Sequence, residues 1–212
     1  MTILNDIYKS FFGKNHKEAW LQFSHDNNGI FTTGKHGNLD SVEVVYLSHK
    51  IIFDRYVHYV TVGGQTFDTE FTRIRLEFIT PDDLRFRITK HDFINTIGKF
   101  FGAQDIEVGD EEFDKKHMIK GNNEFKIQTI FSHKVIKSLI MAQEDTFLQL
   151  MDEEGAFHEP IQEGHAMLYY ISETLIKDKE KLNSLLKLYQ ILIDQLIKTC
   201  SIKRVNTNNL NR

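Results

Sequence analysis

From about Trp20 to Thr89, apolar and polar positions alternate with the period of two that marks β-strands. Ile51, Phe53, Arg55, Val57 and Tyr59 fall on one face of this run, and Ile52, Asp54, Tyr56, His58 and Val60 on the other. Aromatic and β-branched residues on both faces predict a long, central strand. Gly63-Gly64 then predicts a hairpin turn. Beyond it, Thr72, Ile74, Leu76 and Phe78 alternate with Arg73, Arg75 and Glu77. After the turn chemistry of Thr80-Pro81-Asp82-Asp83, Leu84, Phe86 and Ile88 alternate with Arg85 and Arg87. Pairing Phe78 with Phe86 and Leu76 with Ile88 across a three-residue loop keeps both apolar sets on one side. Residues 29–89 are therefore expected to form an antiparallel meander.

Helical spacing brackets this β-rich stretch. Ile3, Leu4, Ile7, Tyr8, Phe11 and Phe12 predict a short amphipathic helix stopped by Gly13. Asp92 is placed to cap a second helix ending near Phe101, with Gly102 as its stop. The triplet Phe11-Phe12-Gly13 thus recurs as Phe100-Phe101-Gly102. Glu112–Ile119 looks extended, and Gly121-Asn122-Asn123 reads as a turn and N-cap for a helix from Glu124. Val135, Leu139 and Ile140 predict a further helix, and Phe147–Met151 a strand. From Glu163 onward the pattern is mainly helical, with Leu182, Leu185, Leu186, Tyr189, Leu192, Ile193 and Leu196 forming a stripe too wide for a coiled-coil seam.

Length and composition narrow this to one globular unit. The chain has 212 residues, 41% apolar and 26% charged, which is ordinary globular usage. The expectation is a single α+β domain over 1–203, β-rich over 20–89, mixed over 90–160 and helical over 161–203, with 204–212 a frayed tail. The fold class is an antiparallel sheet meander packed with helices, the longest of them C-terminal. A net charge of −4 and a pI near 6.2 give no general attraction to nucleic acid or to anionic membranes. A single cysteine, Cys200, excludes an internal disulfide and is expected to be a buried or half-buried thiol. No stretch approaches the roughly 18 apolar residues a membrane span needs, and Met1–Phe12 has no signal-peptide pattern. A reducing, cytoplasmic setting follows.

Candidate chemistry is sparse. Arg55, Arg73, Arg75, Arg85 and Arg87 are five of the chain's seven arginines, and the last four share the polar face of one predicted hairpin. Such a cluster would take an anion or an acidic partner, unless Glu70, Glu77 and Asp54 neutralise it as a solvated, ion-paired face. Gly63-Gly64-Gln65 is similar to the tripeptide at the catalytic tip of peptide-chain release factors, but it lacks basic surroundings, and the turn reading stands. Lys115, Lys116 and Lys120 precede a helix start, where an anion could sit, but Asp110, Glu111, Glu112 and Asp114 alternate with them and predict self-neutralisation. His158, Glu159, Glu163 and His165 could supply metal ligands, yet their spacing matches no helical zinc signature. No phosphate-binding loop, nucleophile elbow or dinucleotide fingerprint is present, so no metal and no cofactor is expected.

Phe113, Asp114, Ile119, Gly121 and Asn122 match a Phe-Asp-x-x-Phe-x-Ile pattern, with His117 where an aromatic residue is usual. Over about residues 100–150 the chain therefore resembles bacterial domains of unknown function. That resemblance implies a bacterial protein and no activity. The expected function is a soluble, non-enzymatic interaction module that uses a basic sheet face to bind an unidentified macromolecule or acidic ligand. The alternatives are a small enzyme with a histidine–carboxylate site, and a peripheral membrane protein docking through Ile3–Phe12.

Overall fold

Nine strands form one antiparallel sheet in the computed structural model of the protein, which describes residues 16–34, 39–90, 104–152 and 161–203. The strands are β1 (Ile30–Thr32), β2 (Ser41–Tyr46), β3 (His49–Val62), β4 (Gln65–Ile79), β5 (Phe86–Lys90), β6 (Gln104–Asp105), β7 (His117–Gly121), β8 (Phe147–Met151) and β9 (His165–Ser172). Five helices accompany them: α1 (His16–Asp26), α2 (Glu111–Lys116), α3 (Glu124–Phe131), α4 (Lys134–Met141) and the long C-terminal α5 (Lys179–Lys198). The fold is α+β, as expected. The helices expected over 3–12 and 92–101, with their Phe-Phe-Gly repeat, lie outside the described residues. So does the tail 204–212.

The sheet runs in the order β1-β2-β3-β4-β9-β8-β5-β7-β6. The first four strands are the expected meander, and Gly63 and Gly64 make the tight β3–β4 turn with φ of 60° and 83°. The expected β4–β5 hairpin does not form. β9 and β8 stand between those strands, so the row across the sheet reads Leu76, Leu168, Leu150, Phe86 rather than Leu76 beside Ile88. Alternation decides which face a side chain takes but not which strand lies alongside. Asp82 lies in the segment that leaves β4. Its carboxylate accepts from Lys126 Nζ at 2.5 Å and Ser201 Oγ at 2.8 Å, which ties the Thr80–Leu84 segment to α3 and to the chain after α5.

Three further expectations need correction. Trp20 belongs to α1 and not to the β-rich stretch: it is fully buried, and its indole N–H donates to the Ile176 carbonyl at 2.8 Å. Residues 111–116 are helical, because Asp110 caps the segment by accepting from the Phe113 N–H. Residues 165–172 are a strand whose buried run from Ala166 to Ile171 has no period to separate it from a buried helix.

All five described helices contribute buried residues to one main core with the strands, the short α2 through Phe113. The seven-residue stripe of α5 is buried as read, and the Tyr189 hydroxyl donates to the Ile74 carbonyl at 2.9 Å beneath it. Opposite, Ile74, Leu76, Leu148, Leu150, Leu168, Tyr170, Phe86 and Ile88 supply the sheet side. No described helix is long and apolar enough to cross a membrane.

Candidate functional site

The other face of the sheet carries the arginines. On β4, Arg73 and Arg75 alternate with the core residues Ile74 and Leu76, so both turn away from the main core. Arg87 does the same on β5, where it lies between Phe86 and Ile88, and Arg85 immediately precedes that strand. One register row crosses this face as Ile52, Arg75, Tyr169, Gln149, Arg87, Lys120. Arg75 and Arg87 are thus three strand spacings apart, about 14 Å, instead of being neighbours on one hairpin. Between them Phe147, Met151, Met167, Tyr169 and Ile171 form a second, smaller buried cluster, with Phe71 and Ile161 packed against it.

Each arginine has a partner. Asp54 stands opposite Arg73 in the β3–β4 ladder and accepts from its Nε at 2.6 Å and its Nη2 at 3.2 Å. Arg75 Nη2 donates to the same carboxylate at 2.5 Å. The Arg73 guanidinium also lies 4.8 Å from the Tyr56 ring centroid, a cation–π distance. Arg85 pairs with Asp152 at 2.5 Å. Arg87 Nε donates to the Gln149 amide oxygen at 3.1 Å, and its guanidinium sits 5.4 Å from the Phe147 ring. Burial there pushes the Arg87 guanidinium below its ordinary pKa. Arg55 is not part of this group. It falls on the face that carries Phe53, where it pairs with Glu70.

Exposure divides the cluster. The Arg73 side chain is only 7% exposed, while those of Arg75 and Arg85 are 24% and 36% exposed. The face therefore has a buried, neutralised pair at Arg73–Asp54 on its β3–β4 side, with the more exposed Arg75 next to it on β4 and Arg85 beside β5, three strands away.

The other candidates have structural partners. His165 bonds Glu77 across β9 and β4 at 2.8 Å. His158 and Glu159 lie outside the described residues, among which no three potential metal ligands cluster. Lys116 pairs with Glu112 at 2.9 Å, as expected, whereas Lys120 pairs with Asp105 at 3.3 Å, outside the acidic residues expected to neutralise it. Asp110 holds Lys137 at 2.6 Å, and that bond lowers the carboxyl pKa of Asp110. Sequence reasoning missed the Asp145 cluster, where one carboxylate accepts from Ser172 Oγ at 2.9 Å and from the Glu173 N–H at 2.5 Å. The same loop's Asp145 carbonyl accepts from the Tyr170 hydroxyl at 3.0 Å. Ser172 is fully buried, and burial holds the Tyr170 phenol well above its ordinary pKa, so this cluster closes a loop over the sheet end. No pattern in the sequence marks it.

No known protein family and no curated protein matches this chain. The fold does match a solved one. The crystal structure of the mycobacterial trehalose monomycolate transport factor A, TtfA, superposes with a TM-score of 0.52 at 6% identity, covering 92% of this chain and 100% of that one. At that identity the likeness concerns the fold.

Proposed function

We propose that the protein is a non-enzymatic binding module whose arginine-bearing sheet face takes an acidic macromolecule along a strip from Arg75 to Arg85 and Arg87. The observation that carries this reading is the spacing of the half-exposed guanidinium groups on one face. At about 14 Å apart, the two arginine groups are separated by more than the roughly 10 Å screening length at 0.1 M salt. One small anion could not bridge them, whereas an extended acidic segment crossing the strands could meet both. A binding role rather than catalysis is supported by the way the carboxylates are engaged: Asp54, Asp82, Asp145 and Asp152 each hold a structural partner. The cytoplasmic setting read from the lone cysteine belongs to the same proposal.

Titrating the protein with heparin and with poly-glutamate at increasing salt tests it. The expected result is binding that weakens as salt rises and weakens again in the Arg75→Gln, Arg85→Gln variant. Unchanged binding together with a lowered melting temperature in that variant would make the arginines purely structural.

A further inference from the structure

The hairpin formed by β3 and β4 outgrows the sheet. β2 pairs with β3 only as far as Asp54, and β9 pairs with β4 only from Thr72. Residues 56–62 and 65–71 pair with each other and project as a two-stranded ribbon about 23 Å long. Tyr59 is 67% exposed and Phe67 54% exposed on this ribbon.

Its two edges differ. The Arg55 N–H donates to the Asp40 carbonyl at 3.0 Å, so odd positions of β3 turn their main-chain groups away from β4. Val57, Tyr59 and Thr61 come next in that series, and among the described residues no strand lies alongside them. Residues 56–62 read Tyr-Val-His-Tyr-Val-Thr-Val, without a single Lys, Arg, Asp, Glu or Pro. Exposed edges are ordinarily blunted by such residues, and a bare β-branched and aromatic edge is a template for another strand. The opposite edge, on β4, carries Asp68 and Glu70.

We propose that a second copy of this chain pairs antiparallel along the β3 edge, about a two-fold axis at Tyr59. The register follows from the backbone. Outward-facing residues must meet outward-facing residues, and the arrangement that pairs all three sets Val57 against Thr61 of the second copy and Tyr59 against itself. This arrangement covers 56–62 and stops at Arg55, whose outward N–H the Asp40 carbonyl of the same chain already holds. A self-pairing also suits the charge. With no Lys, Arg, Asp or Glu in 56–62, no like-charged pair of these residues meets across the axis. A contact this short falls well below the roughly 800 Å² per partner of a standard interface, so the dimer is weak and concentration-dependent.

Sedimentation velocity over a wide dilution series reads this directly. The wild-type chain should dimerise reversibly as concentration rises, in high salt as well as low. Thr61→Pro removes an outward-facing N–H while leaving the β3–β4 ladder intact, and Tyr59→Lys places two ammonium groups on the axis. Both variants should stay monomeric with the wild-type melting temperature, and should still bind the acidic probes of the preceding experiment. A wild-type monomer at every concentration, or a dimer that survives Tyr59→Lys, would overturn the proposal. If Thr61→Pro lowers the melting temperature, Tyr59→Lys decides alone.

Discussion

Asp54 and Arg73 face each other across the β3–β4 ladder as a two-point ion pair, and both side chains are almost wholly buried. Removing one member of such a pair leaves an uncompensated buried charge, which costs about 3–5 kcal/mol. Asp54→Ala should therefore lose stability on that scale in chemical denaturation, the more so because Arg75 shares the same carboxylate. Arg75 is partly solvated, and Arg73 still holds Asp54 without it, so Arg75→Gln should cost about 1 kcal/mol or less. Equal losses in the two variants would contradict this ranking.

His49 gives the fold a pH dependence of known sign. It is buried at the start of β3, its Nε2 has no hydrogen-bond partner, and burial lowers its pKa below the ordinary 6.5. Above that value both folded and unfolded chains carry a neutral ring, and stability is unaffected. Below it the unfolded chain takes up a proton that the folded chain refuses. Stability then falls with acidification until the folded pKa is reached, by up to about 1.4 kcal/mol per pH unit. His49→Leu should flatten the denaturation profile in that window. The loss attached to Asp40 would remain and comes only at more acidic pH. Burial works against its charge, but bonds from His16 and the Gly34 N–H and the nearby Lys17 ammonium keep its carboxyl below the ordinary 3.8.

Local chemistry was legible in the sequence where one element settles its own fate. The α5 stripe, the Gly63-Gly64 turn, the Asn123 cap and the faces of β4 and β5 all depend on residues within a few positions. What stayed hidden depends on distant partners. Nothing within residues 72–89 tells β4 that β9, nearly a hundred residues later, is its neighbour. For that reason Arg73, Arg75, Arg85 and Arg87 share one face, as their alternation predicts, but not one hairpin. The Asp82–Lys126–Ser201 tie and the Asp145 cluster join segments far apart in the chain, and neither leaves a local pattern.

Cys200 was expected to be a buried or half-buried thiol but is exposed, and its backbone explains its place. The Ser201 N–H bonds the Leu196 carbonyl at 2.8 Å and the Cys200 N–H the Ile197 carbonyl at 3.2 Å, a Schellman ending for α5. Cys200 occupies the left-handed position there with a φ of 56°, where a side chain costs roughly 1–2 kcal/mol relative to glycine. Cys200→Gly should raise stability by about 1 kcal/mol, partly offset by the freer unfolded chain. A lowered melting temperature would show that the thiol makes a contact worth more than the backbone strain.

Gly121 presents the opposite case, a glycine needed for space and not for an unusual φ. It closes β7 directly opposite Phe86, where the sequence suggested only a turn. A Cβ there would stand 2.8 Å from the Arg85 carbonyl oxygen and would collide with the Ile127 side chain. The carbonyl is held at the start of β5, and Ile127 is fully buried in α3, so neither can withdraw without moving its element. Gly121→Ala should thus cost about 1–3 kcal/mol by overpacking. The strain acts between β5 and α3, so Ile127→Val in the same chain should recover part of the loss by vacating the methyl that the new Cβ meets. Ile127→Val alone should be mildly destabilising, by about 1 kcal/mol. Opposite signs of its effect in the two backgrounds, measured by denaturant midpoint, are the expected result. Simple additivity would place the cost of Gly121→Ala on the Arg85 carbonyl instead.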